Sequence, residues 1–343
     1  MTNYDPNAPG VNNGRFMGLP FSESEADCIL LPVPWDVTTS YTEGTATAPD
    51  NILQASYQLD IGNRRQSDSW TKGIYMVAAD EQIKRWNTDW RHQAARVIEA
   101  WESGEEVLLS DEWKEVIASV NESSRRLNER VYQLSSDILN CDKKLLLVGG
   151  DHSSPLGYLR ALVEKHDDFG LIQIDAHCDL RKAYEGFKYS HASIMYNVLN
   201  ELPQVGKLVQ VGIRDYCPEE ADRILNSGGR IQTHFMHDIR RRLFGGETWK
   251  DQCDRFLEGL PRQVYISLDI DGLDPGNCPH TGTPVPGGLE YYEVIYLLEA
   301  IQESGRHIIG ADLCEVAGLP HEWDGNVGAR LAYELAIILL QDT

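Results

Sequence analysis

The chain has 343 residues, 42% of them hydrophobic, enough to fill the core of one large α/β domain. Its 53 acidic residues outnumber 31 basic ones, and a net charge of -22 argues against nucleic acid or an anionic membrane surface as partner. Seven scattered cysteines without a C-x-x-C pair argue against a disulfide framework or a zinc ribbon, and point to a reducing, cytoplasmic setting.

Residues 1–27 open with the polar, turn-rich "MTNYDPNAPGVNNGRF" and read as an N-terminal extension ahead of a single domain over 28–343. No apolar run approaches membrane-spanning length. "CILLPVPW" (28–35) is the first continuous apolar run, the pattern of a strand covered on both faces. Residues 62–118 break the rhythm with five of the eight tryptophans and many charges; they read as an amphipathic helical insertion, with an oligomer contact or a lid as alternatives. A helix is predicted over 119–139, a strand over 144–150, a helix over 154–166, and strands over 170–177 and 207–214. A strand over 263–271, a helix over 290–305 and a strand over 306–316 complete the series. Strand and helix in alternation imply a three-layer α/β/α domain with a mostly parallel central sheet and its site at the carboxyl ends of the strands.

Chemistry-bearing residues gather at those ends. "DAHCDLR" carries Asp175, His177 and Asp179 at alternate positions, which an extended chain points the same way. "GGDHSS" supplies His152, "SLDIDGLDP" supplies Asp269 and Asp271, and "ADLCEV" supplies Glu315. Carboxylates brought together without compensation repel one another, and two divalent cations remove that cost. Mixed Asp and His donors suit Mn²⁺, Ni²⁺, Fe²⁺ or Zn²⁺ better than Ca²⁺. Cys178, inside the motif, should face away from its neighbours and pack.

In this order "GGDHS", "DAHCDLR", "SLDIDGLDP" with "TGTPVPGGL", and Glu315-Val316 resemble the ureohydrolases: arginases, agmatinases and related guanidino-group hydrolases. The resemblance runs from about residue 28 to the last residue. It implies an arginase-like fold, two metal ions per chain (Ni²⁺ or Mn²⁺), a small cationic guanidino substrate, and a homo-oligomer, trimer or hexamer. Carried onto this chain, one metal is expected on His152, Asp175, Asp179 and Asp269, and the other on Asp175, His177, Asp269 and Asp271. The expected catalytic set is Glu315, Asp179 and His191, with Glu315 holding guanidinium N–H groups and His191 giving the leaving amine its proton. His92, His166, His234, His237 and His307 match no motif.

For the substrate, the loop "RKAYEGFKYSHASIM" departs from the arginase pattern, and the first loop departs from that of common agmatinases. Trp35, Thr38, Thr39, Tyr41, His280 and Trp323 are expected to line a short pocket suited to free or N-alkylated guanidine. Arg181 and Lys182 are the basic residues nearest such a pocket in sequence. Agmatine is the alternative substrate, and a non-catalytic paralogue subunit the alternative role.

Overall fold

Mostly apolar runs become the strands of one eight-stranded sheet in the computed structural model, which describes residues 4–63, 68–320 and 322–341. In chain order these are β1 (Cys28–Val33), β2 (Ile74–Met76), β3 (Lys144–Gly149), β4 (Phe169–Ile174), β5 (Val205–Ile213), β6 (Ile231–Phe235), β7 (Gln263–Asp269) and β8 (His307–Cys314). Across the sheet the order is β2-β1-β3-β8-β7-β4-β5-β6, and each of these pairings is parallel. The four strands that end in the chemistry-bearing motifs, β3, β8, β7 and β4, are therefore neighbours, although more than 160 residues separate His152 from Glu315.

Among the described residues ten α-helices cover the two faces: α1 (Ala48–Ser56), α2 (Glu81–Glu102), α3 (Asp111–Leu139), α4 (Leu156–Leu162), α5 (Ile194–Glu201), α6 (Pro218–Leu225), α7 (Met236–Phe244), α8 (Trp249–Phe256), α9 (Tyr291–Glu303) and α10 (Trp323–Gln341). Alternation along β3 divides the core. Leu146 and Val148 pack with α1 and α7 to α10, and Leu145 and Leu147 pack with α2 to α5. This is the three-layer α/β/α arrangement that the strand and helix rhythm implies.

Three features differ from the sequence reading. Residues 62–118, expected to be an amphipathic helical insertion, also contain β2, whose three residues pair with β1 and are too few to leave a pattern. The rest of the segment forms α2 and the first turns of α3, an antiparallel hairpin pinned at its root by Arg130 on Asp80, 2.7 Å, while 64–67 lie outside the described residues. β6, "IQTHF", was not predicted, because three of its five residues are polar. Ahead of β1, Phe16, Met17 and Leu19 are buried, and the Met17 N–H donates to Ser56 Oγ at 2.8 Å, so this part of the N-terminal segment is tied into the core.

Candidate active site

The floor of the site is made where strand ends touch. Gly150 lets the β3 turn pass against β1: a Cβ there would lie 1.9 Å from the Trp35 carbonyl oxygen, which accepts the Asp151 N–H at 2.7 Å. Gly272 does the same for β7 against β4, where a Cβ would meet the Asp175 nitrogen at 2.7 Å. These close approaches bring His152 to the aspartates.

His152 Nδ1 lies 3.0 Å from Asp175 Oδ2, 3.0 Å from Asp179 Oδ2 and 3.3 Å from Asp269 Oδ2. His177 Nδ1 lies 3.0 Å from Asp271 Oδ2 and 3.6 Å from Asp175 Oδ1. Two donor groups are made of the expected ligands, His152 with Asp175 and Asp179, and His177 with Asp175 and Asp271; a third joins His152 to Asp312 and Cys314. All six residues expected as ligands thus converge, with Asp175 common to both groups and Asp269 bonded through Oδ1 to the Asp271 N–H, 2.8 Å.

The electrostatics fit cations. Burial, then Asp175, pushes Asp179 up to about 8; burial, then Asp271, raises Asp269 well above the usual carboxylate range. His152 Nδ1 is buried without a hydrogen-bond partner and aims at three carboxylate oxygens, and that geometry suits ligation. Its Nε2 meets Ser267 Oγ at 2.8 Å, which sets the ring's orientation. Two imidazole nitrogens and a set of aspartate oxygens make a mixed donor set of the kind transition-metal dications prefer. Asp179 (φ 53°) and Glu315 (φ 62°) both hold left-handed backbone, a strain placed where function is expected.

Glu315 is buried beside this floor. Its Oε1 accepts the His152 N–H at 2.8 Å, while Oε2 has no hydrogen-bond partner among the described residues. Burial, then Asp151, raises its pKa well above the ordinary value. Above the floor opens a cleft of about 290 Å³, lined at its base by His177, Asp179 and His191 and at its rim by Tyr41, Arg181 and Asp215 among others. His191 is 8% exposed, and burial, then the neighbouring His177, pushes it down to about 3, so its ring is neutral at pH 7.

The expected pocket residues are distributed otherwise. Trp35 is fully buried in the core behind the site, where its carbonyl anchors the Gly150 turn, and it does not line the cleft. Thr38 is also buried; its hydroxyl donates to Asp151 at 2.9 Å and accepts the His191 N–H at 3.1 Å, so it supports His191 from below. Thr39 is buried too. His280 turns toward the start of α10, with Nδ1 2.9 Å from Asp324 Oδ2, and Trp323, half exposed, donates its indole N–H to the Gly276 carbonyl at 3.0 Å; neither lines the cleft. Tyr41 does line it. Cys178 is buried in the apolar core, as expected of a packing residue. Sequence reasoning missed Tyr184, Asp215 and Tyr216 as cleft residues, because they come from loops without a motif, and it assigned no role to Thr283 within "TGTPVPGGL".

The fold is an α/β one with a parallel sheet, and clusters of His and Asp side chains that could hold metal ions meet at its carboxyl edge. The chain belongs to the Arginase family of ureohydrolases, whose sequence model matches residues 26–340. It is similar to the N(1)-aminopropylagmatine ureohydrolase of Thermus thermophilus, 33% identical over 85% of this chain and 83% of the relative. It is also similar to the guanidinobutyrase of Pseudomonas aeruginosa, 32% identical over 94% of this chain and 91% of the relative. In three dimensions it resembles the agmatine ureohydrolase of Thermoplasma volcanium, with a TM-score of 0.71 at 24% identity, covering 96% of this chain and 94% of that one. Members of this family hydrolyse C–N bonds of guanidino compounds and are typically dependent on two metal ions. Among the described residues no helix is long and apolar enough to cross a membrane.

Proposed function

We propose that the protein is a catalytically active ureohydrolase holding two divalent metal ions, Mn²⁺ or Ni²⁺, on His152, Asp175, His177, Asp179, Asp269 and Asp271. The observation that carries this is the convergence of all six side chains, with His152 Nδ1 buried and unpartnered in front of three carboxylates. When bound, such ions supply a nucleophile from water at neutral pH. The complete donor set favours an enzyme over a non-catalytic paralogue.

The chain's own residues do the rest. A guanidinium carbon is a poor electrophile because its charge is spread over three nitrogens. Glu315 Oε2, the carboxylate oxygen not spent on the His152 N–H, accepts a guanidinium N–H and offsets that charge. His191, which lines the cleft beside His177 and Asp179, is placed to hand a proton to the leaving nitrogen. Its backbone N–H donates to Thr38, and its ring Nδ1 lies 3.4 Å from Ser190 Oγ.

For the substrate we propose a guanidino compound whose short tail ends in an amine, of the agmatine type. The aromatic wall that favoured free or N-alkylated guanidine loses Trp35 and Trp323 and keeps Tyr41. Asp215 lines the cleft, is exposed, and its carboxylate has no ion pair among the described residues, so it suits an ammonium. The cation that a tail carboxylate would need is Arg181, already stacked 5.0 Å over the Tyr184 ring and 3.9 Å from Glu220. Urea release from guanidine, methylguanidine, agmatine, N(1)-aminopropylagmatine, 4-guanidinobutyrate and arginine tests this. Agmatine-type amines should lead; a lead for guanidine itself restores the compact-pocket reading, and a lead for either acid assigns the rim to Arg181.

A further inference from the structure

Two residues before Asp175 and on the same face, β4 carries Gln173 with no exposed surface in a strand otherwise built of apolar residues and glycine. Burying an amide costs free energy unless all its groups are bonded. The register shows where its bonds go. Gln173 pairs with Gln210 on β5, Gln210 with Thr233 on β6, Gln173 with Ser267 on β7, and Ser267 with Asp312 on β8. A single polar row therefore crosses five adjacent strands directly under the metal ligands.

The row has two arms with defined hydrogen-bond direction. In one, the Thr233 hydroxyl donates to Gln210 Oε1 (2.7 Å), Gln210 Nε2 donates to Gln173 Oε1 (2.6 Å), and Gln173 Nε2 donates to Asp175 Oδ2 (2.7 Å) and Asp179 Oδ2 (3.3 Å). In the other, Tyr265 and Ser267 hydroxyls donate to Asp312, at 2.7 and 3.1 Å, and Ser267 Oγ meets His152 Nε2 at 2.8 Å. Both arms end on the same group: the two aspartate oxygens that Gln173 addresses are those 3.0 Å from His152 Nδ1. The other donor group is held differently. Asp271 Oδ1 and Asp175 Oδ1 accept the backbone N–H groups of Ala176 and His177, and His177 faces the cleft.

We infer that this buried row is a positioning device for one metal of the pair, the one on His152, Asp175 and Asp179, and that its reach extends to Thr233 two strands away. The amide polarity matters: Gln210 Nε2 also donates to the Cys178 carbonyl at 2.7 Å, which can only accept, Thr233 satisfies the Gln210 Oε1 that this leaves facing β6, and Gln210 in turn fixes that Gln173 presents N–H rather than C=O to the carboxylates. Chained bonds of this kind reinforce one another and hold the aspartates aimed in a buried, low-dielectric place.

The inference rests on the two-metal reading above, and its test separates the two. Mn²⁺ is titrated into metal-stripped protein by calorimetry, with far-UV circular dichroism of the stripped form as a check on folding. Wild type should take up two ions; failure to do so overturns the two-metal reading and this inference with it. Given two ions, Gln173→Leu should weaken one site about 10- to 100-fold, the size of a lost outer-shell partner, and the other much less. Thr233→Val, which touches no ligand, should weaken the same site about 3- to 10-fold, the size of one neutral hydrogen bond, and Thr233→Ser should restore it. In the Gln173→Leu background Thr233→Val should add nothing. Equal weakening of both sites, or wild-type binding by Thr233→Val, overturns the inference. If Gln173→Leu does not fold, the Thr233→Val and Thr233→Ser pair decides it alone.

Discussion

Replacing Glu315 by glutamine keeps the shape of the side chain and removes its charge, and the structure sets the size of the expected loss. One carboxylate oxygen, Oε1, is already committed to the His152 N–H at 2.8 Å, so only Oε2 is free for the guanidinium. The substrate therefore gains one charge-assisted hydrogen bond from this residue, worth about 1.5–3 kcal/mol. An amide at 315 satisfies the His152 N–H with its oxygen and turns an NH₂ toward the substrate, so that bond is lost. At 1.36 kcal/mol per decade, kcat/KM for urea release should fall about 10- to 150-fold. The metal ligands are untouched, and two ions per chain should remain. Because Glu315 is buried beside Asp151, taking its charge away should leave Tm no lower than that of wild type. Steady-state urea assays with parallel metal analysis and thermal unfolding read all three quantities. Wild-type kcat/KM in a fully metallated Glu315→Gln protein would refute the role given to Oε2.

Three further outcomes are expected. His191→Ala should lower kcat by about 100-fold or more with metal content unchanged, because a proton carrier acts on the leaving group; stopped assays with metal analysis check it, and unchanged kcat would pass the role to solvent. Asp215→Asn should raise KM for agmatine about 2- to 5-fold, the size of one exposed charge pair, and leave KM for guanidine alone; equal change for both would remove Asp215 from the tail site. Burial, then Glu102, raises Glu185 to about 7, so the folded state holds this proton more tightly than the unfolded chain. Its contribution is fully present below about pH 4.5 and is lost as pH rises through about 7. Glu185→Gln should therefore raise Tm at pH 8 and not at pH 4, and an equal shift at both would contradict the assignment.

Much of this site is legible in the sequence for a definite reason. Strands covered on both faces are written as largely apolar runs, so "LIQIDAHCD" marks both the strand and the place where it releases Asp175, His177 and Asp179. The neighbourhood of β3, β8, β7 and β4 is not written there, because strand order depends on crossovers that no local pattern records. Tryptophans near strand ends are ambiguous in the same way. Trp35 and Trp323 follow β1 and β8 just as a pocket aromatic would, but the chain carries Trp35 inward under Gly150 and ties Trp323 to Gly276. Gln173 did leave a signal, a lone amide inside an apolar strand, whose meaning depends on Gln210 and Thr233 lying at the same level on strands far along the chain. β2 and β6 escaped because one is three residues long and the other is mostly polar.

The central claim is that the six convergent side chains hold two metal ions that turn over a guanidino substrate. The most direct measurement is metal content per chain of the wild type and of Asp269→Asn after stripping and reconstitution with Mn²⁺ or Ni²⁺, with urea release from agmatine and guanidine recorded on the same samples. Two ions per wild-type chain, with activity that rises with the second ion and vanishes in Asp269→Asn, is the predicted result. A wild-type protein that saturates at one ion or none, or that releases urea equally well with either count, would contradict it.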